Sequence, residues 1–170
     1  MLTKKMCDAI NEQVKWELYS SYLYLSMSAW CADNGLPGFA HWMRLQADEE
    51  NMHAMKFYDY VLERGGKMVL QGIDAPPHDW ATPLAVFEHT LEHELHVTRR
   101  INDLVDVAIA ERDHATNIFL QWFVSEQVEE VDNVNTILAK LRLLGGLGGG
   151  LFMMDKELSA RVVTPPTAPA

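Results

Sequence analysis

Cysteine is almost absent from this chain: Cys7 and Cys31 are the only two in 170 residues, and they form no metal-type pair. Neither a zinc ribbon nor a disulfide framework can be built from them, so a reduced protein of the cell interior is the simplest reading. Proline and glycine are scarce until the C-terminal fifth, which leaves most of the chain free of helix breakers. No apolar run approaches the ~18 residues of a membrane span. The opening residues, Met1 to Asp8, go straight into mixed polar sequence with no signal-peptide hydrophobic stretch. A cytoplasmic location without membrane attachment is therefore expected. Positive charge is in deficit as well, with 14 Lys and Arg against 24 Asp and Glu and a net charge of −10. That excess argues against nucleic-acid binding and suits a chain that attracts cations.

What is present is helical periodicity, in four long segments. The first runs from Thr3 to Asp33 and stops at Asn34-Gly35. The second starts at Pro37, suited to a first helical position, and ends at Gly65-Gly66. The third follows Thr82-Pro83, an N-cap with proline at N1, and reaches about Arg112. The fourth runs from about Ala115 to Leu144. Each is roughly 40 Å long at ~1.5 Å per residue, and matched helices of that length are natural as a bundle.

The connections fix the topology. Asn34-Gly35-Leu36 is a short turn, and the residues around His114 make another, so the first two and last two helices pair antiparallel. Gly66 to Ala81, extended at ~3.3 Å per residue, reaches roughly 50 Å and can cross the whole bundle. The fold expected is all-α: a four-helix bundle with one long crossover between helices two and three. A short amphipathic fifth helix, Leu151 to Leu158, needs a docking place. Residues 1–160 form the expected domain, and the Pro/Ala/Thr-rich residues 161–170 an expected disordered tail.

The buried stripes carry charge where a core should be apolar. They read Ile10, Val14, Glu17, Ser21, Tyr24 in the first helix and Met43, Gln46, Glu50, His53, Phe57 in the second. The third reads Phe87, Leu91, Glu94, Thr98, Ile101, and the fourth Phe123, Gln127, Glu130, Val134. Each helix places one glutamate near its midpoint, so Glu17, Glu50, Glu94 and Glu130 meet at one level. Four uncompensated buried carboxylates would cost several kcal/mol each. A pair of multivalent cations removes that problem, and oxygen ligands with one imidazole suit iron or manganese.

Glu17, the run Glu49-Glu50-Asn51-Met52-His53, Glu94 and the run Glu126 to Glu130 together resemble the ferritins, specifically the bacterial non-haem type. Trp16 to Ser21 is similar to that family's first helix, and Phe119 to Gln127 to its fourth. The resemblance implies an iron-storage ferroxidase that oxidises Fe(II) with O2 or H2O2 and keeps the ferric product inside a homo-oligomeric cage of 24 subunits. It places Glu17, Glu50 and His53 at one iron, with Glu50 bridging to a second held by Glu94 and Glu130 beside Gln127. Glu49, Glu126 and Glu129 match a third iron position, and Tyr24 matches a family tyrosine able to supply an electron or bind a ligand. Di-iron enzymes carry two Glu-x-x-His motifs; this chain has one, Glu50-x-x-His53, and Gln127-x-x-Glu130 in place of the other. As in the ferritins it resembles, that implies a looser second site from which iron moves on.

Other readings are weaker. A rubrerythrin-like peroxidase would carry paired CxxC motifs, which two lone cysteines exclude. A catalytically silent cage subunit would lack Glu17, Glu50, His53 or Glu94, and none is missing. Haem-binding bacterioferritins place their methionine directly after the bridging glutamate; here Asn51 fills that place and Met52 lies about 100° further round the helix, so no haem is expected. His89, His93 and His96 share a face one step off the stripe and are expected to form a solvated or interface face. Trp122, one turn before the fourth-helix cluster, is expected chiefly to pack.

Overall fold

The computed structural model describes residues 1–145 and 148–162. Among them are five helices and no strands: α1 (Lys4–Asp33), α2 (Pro37–Glu63), α3 (Pro83–Ala110), α4 (His114–Leu144) and α5 (Gly148–Leu158). The chain's own capping residues set the starts. Thr3, Thr82 and Asp113 each accept a hydrogen bond from the backbone N–H three residues on, at 3.2, 3.1 and 3.1 Å. Pro37 and Pro83 stand at the first helical turns of α2 and α3. The α1–α2 turn passes through Gly35 at φ 73°, a left-handed conformation that glycine adopts without strain.

The crossover lies along α1, and its contacts give its direction. Asn11 near the start of α1 donates to the Lys67 carbonyl at 3.0 Å and accepts from the Val69 N–H at 2.9 Å. Ser26 donates to the Pro77 carbonyl at 2.6 Å, and the Trp30 indole to Asp79 at 3.2 Å. The segment thus advances with α1 and against α2, which returns the chain to the end where α2 began. Helices α2 and α3 are therefore parallel, as the loop length implied.

Two apolar cores sit at opposite ends of the bundle. One gathers Leu23, Met27, Phe39, Met43, Phe87, Val134 and Leu138. The other gathers Met6, Ile10, Val14, Phe57, Val61, Ile101 and Leu120. The layer between them is polar and buried, with Glu17, Glu50 and Glu94 no more than 1% exposed and Glu130 only 3%. Two apolar ends fix the register of all four helices, so the carboxylates are held at one height.

Helix α5 docks on the start of α2. Asp155 Oδ1 accepts from the N–H groups of Gly38 and Phe39 at 2.7 and 3.0 Å, which caps α2 from another helix. A Cβ at Gly38 would lie 1.7 Å from the Asp155 carbonyl oxygen, so only glycine permits this approach. Met154 and Leu158 are buried in the adjoining core. Most of the expected tail, residues 163–170, lies outside the described residues; Arg161, at its start, is held by several polar contacts.

On the α3 histidine face, expected to be a solvated or interface face, His93 is instead buried within the chain, its Nε2 2.7 Å from Ser20 Oγ, while His89 and His96 are half-buried. His89 Nδ1 accepts from the Trp80 indole at 3.0 Å, and His96 lies edge-on to Trp16 at 4.8 Å between ring centres. Helix α1 on one side and the end of the crossover on the other partly cover this face, so α3 buries more than the stripe alone. Desolvation lowers the pKa of His93 to about 3, which keeps it neutral.

Candidate metal centre

Glu17 of α1 and Glu50 and His53 of α2 each offer a ligand atom, and these atoms lie within 4.8 Å of one another. The pairing of Glu50 with His53 follows from the i,i+3 spacing, which stacks the two side chains on one face. His53 Nδ1 is 3.4 Å from Glu50 Oε2. Burial depresses the imidazole pKa to about 4, so the ring is neutral there and available as a ligand rather than an ion-pair partner. Trp122 and Phe123 meet the same ring edge-on, at 5.4 and 6.0 Å, and fix its plane.

The remaining carboxylates complete the layer. Glu94 accepts from the Tyr24 hydroxyl and, at 3.1 Å, from Gln127 Nε2. Glu130 Oε2 accepts from Gln46 Nε2 at 2.8 Å. Glu17 Oε1 accepts from Gln13 Nε2 at 2.8 Å, and Gln13 in turn accepts from Arg100 Nε at 3.2 Å. Neutral amides and a phenol thus hold both oxygens of Glu94 and one each of Glu17 and Glu130. Oε2 of Glu17 and Oε2 of Glu50 are buried with no hydrogen-bond donor. A native protein rarely strands such oxygens, and the group that would satisfy both at once is a cation.

Electrostatics agrees with the geometry. Burial, reinforced by the neighbouring Glu94, pushes the Glu17 pKa up to about 7, although Gln13 and Arg100 oppose the rise. Burial and then Glu94 push Glu130 up to about 8. Burial raises Glu94 as well, and burial with the three surrounding carboxylates raises Glu50 well above the usual range. The facing carboxyls of Glu17 and Glu50 can bond to each other only while one keeps its proton. Without metal the site therefore holds protons at neutral pH, and a cation would take their place.

Of the three residues expected at an outer position, burial and then Glu129 and Glu49 raise the pKa of Glu126, and burial with Glu129 nearby raises that of Glu49 although Arg161 opposes it. Glu129 is exposed and Glu126 half-buried. Glu49 is different: Arg161 Nη2 pairs with it at 2.6 Å. Sequence reasoning gave no role to Gln13, Gln46, Arg100 or Arg161. Gln13 was legible in part, because it lies one helical turn before Glu17, the carboxylate it holds; Gln46 lies one turn before Glu50 but holds Glu130 of α4, which no spacing shows. No spacing rule joins Arg100 to Gln13 or Arg161 to Glu49.

The ferritin-like domain family matches this chain over residues 7–144, which includes every one of these carboxylates. The chain belongs to the ferritin family. A bacterial non-heme ferritin of Bacteroides fragilis is 47% identical over 161 residues, covering 95% of this chain and all of that protein. One from Escherichia coli O157:H7 is 40% identical over 159 residues, covering 94% of this chain and 96% of its own. Among solved structures, an open pore ferritin from Archaeoglobus fulgidus superposes with a TM-score of 0.94 at 51% identity, covering 95% of this chain and all of that one. This ferritin is accordingly an iron-storage protein and a ferroxidase, and its relatives imply a homo-oligomer. None of its described helices is long and apolar enough to cross a membrane.

Proposed function

We propose that this ferritin oxidises iron at a di-iron centre built from Glu17, Glu50, His53, Glu94 and Glu130. The two bare oxygens of Glu17 and Glu50 beside a neutral His53 carry this reading. In it one Fe(II) binds Glu17, Glu50 and His53. Glu50, the carboxylate with the most surrounding negative charge, bridges to a second Fe(II) held by Glu94 and Glu130, with Gln127 alongside. Two Fe(II) each give one electron to O2, which takes two protons and leaves as H2O2; with H2O2 as oxidant, two electrons and two protons give two waters.

The residues around the irons do separate work. Gln13, Gln46 and Gln127 orient carboxylates through neutral N–H groups, so the ligands keep their charge for the metal. Tyr24 holds Glu94 and stands where it could pass an electron to the site. Without a second Glu-x-x-His motif the second position is, as the family resemblance implies, the looser one, and the ferric product moves on from it. Glu49, Glu126 and Glu129 form a third position on its way to storage. The reading extends to a single ferritin-like domain over residues 1–160, a cytoplasmic cage of 24 such subunits and no haem.

Anaerobic Fe(II) titration of the metal-free protein, followed by oxygen while ferric absorbance is recorded, tests this. Oxidation of about two irons per subunit, lost in Glu50→Ala, supports it. Equal slow rates in the two proteins would refute it.

A further inference from the structure

Arg161 stands at the proposed third iron position. Its Nη2 donates to Glu49 Oε2 at 2.6 Å, and the two side chains are only 19% and 17% exposed. The guanidinium lies over the Trp42 ring, with Cζ 4.6 Å from the ring centre, and Nη1 reaches the Trp42 carbonyl at 3.4 Å. The backbone behind it is tied down too, because His41 Nε2 donates to the Arg161 carbonyl at 2.9 Å. Just upstream, Asp155 anchors α5 to the start of α2. A mobile surface arginine has none of these restraints. Glu126 and Glu129 form no ion pair among the described residues, Lys56 acting on Glu126 only from further off, so Glu49 is the one carboxylate of the three that a cation touches directly.

We propose that Arg161 is a resident cation that competes with iron for Glu49, so that the segment after α5 sets how tightly the third iron is held. The proposal rests on the reading of Glu49, Glu126 and Glu129 as an iron position. Metal and guanidinium on the same carboxylate oxygen would stand a few ångströms apart, where like charges in a partly buried place repel strongly. Iron arriving at Glu49 must therefore swing Arg161 off Trp42. When the guanidinium returns, it weakens the hold on iron, which favours onward transfer over retention.

Calorimetric titration with Fe(II) under anaerobic conditions, on the assembled protein, reads this directly. The wild type should show two tighter sites and a weak third one. Arg161→Gln should tighten the third about tenfold and leave the other two unchanged, with Arg161→Lys between them. Three sites of unchanged affinity in Arg161→Gln would overturn the competition while leaving the third position standing. Two sites only, in both proteins, would overturn the third position and the competition with it. A second measurement avoids any effect of Arg161 substitution on α5 docking. Zn(II), a redox-silent probe, should change tryptophan emission of the wild type in step with the third equivalent, as the guanidinium leaves the Trp42 ring. That step should be missing in Trp42→Phe; the same step in both proteins would count against displacement.

Discussion

Gln13 Nε2 lies 2.8 Å from Oε1 of Glu17, and the other oxygen of that carboxylate has no donor at all. One amide thus decides which edge of Glu17 faces a metal. The amide is itself aimed by Arg100, whose guanidinium lies over Trp16 with Cζ 4.9 Å from the ring centre. Replacing Gln13 by Leu removes the donor and frees Glu17 to rotate. Fe(II) affinity at the site containing His53 should fall roughly tenfold, the worth of about one hydrogen bond to a charged group. Calorimetry on the apoprotein checks this, and an unchanged first binding step would show that Glu17 needs no such support.

Tyr24 and Glu94 can be separated in the same way. Tyr24→Phe removes a buried donor to Glu94 while keeping the ring in the core. Binding of Fe(II) should weaken by only several-fold, since Gln127 still holds Glu94. Oxidation should slow more than binding weakens if the phenol also supplies an electron. Stopped-flow absorbance and equilibrium titration on the same variant give the two numbers.

The contact of α5 with α2 predicts an order of damage. Asp155→Ala removes a cap from two N–H groups and should cost about 1 kcal/mol. Gly38→Ala should cost more, because its methyl group would drive the Asp155 backbone away and lift Met154 and Leu158 out of the core. Thermal melting of the metal-free protein ranks them, and equal melting points would contradict the packing described.

The raised carboxylate pKa values set a sign for pH effects. Glu17 and Glu130, with pKa values of about 7 and about 8 against an ordinary 4.5, hold more protons folded than unfolded. Their contribution to the stability of the metal-free protein therefore falls as pH rises from 4.5 to about 8, then levels off. His53 and His93 act oppositely, since their depressed values add stability as pH rises, but only up to about 6.5. Between pH 6.5 and 8 the carboxylates stand alone, and stability should decline. Metal binding at pH 7 should release protons, measurable by titration in buffers of different ionisation enthalpy; proton uptake would contradict the assignment.

Much of this was legible in the sequence because helical spacing carries it. Glu17, Glu50, Glu94 and Glu130 each interrupt an apolar stripe near a helix midpoint, and the cap at Thr82 is written beside its proline. The crossover's course followed from its length. What spacing could not give was contact between distant segments. Arg100 with Gln13 and Arg161 with Glu49 depend on how α3 and the chain after α5 pack, and no local pattern marks them. His93 was misplaced for a related reason. A stripe predicts one covered face, whereas His93 is covered because α1 and the crossover both lie on its side.

Crystals soaked anaerobically in Fe(II), with anomalous scattering recorded at the iron edge, test the site most directly. Two strong peaks should appear in each subunit, one within bonding distance of Glu17, Glu50 and His53, the other of Glu50, Glu94 and Glu130. A single peak, or peaks that leave the bare oxygens of Glu17 and Glu50 without metal, would contradict the di-iron centre.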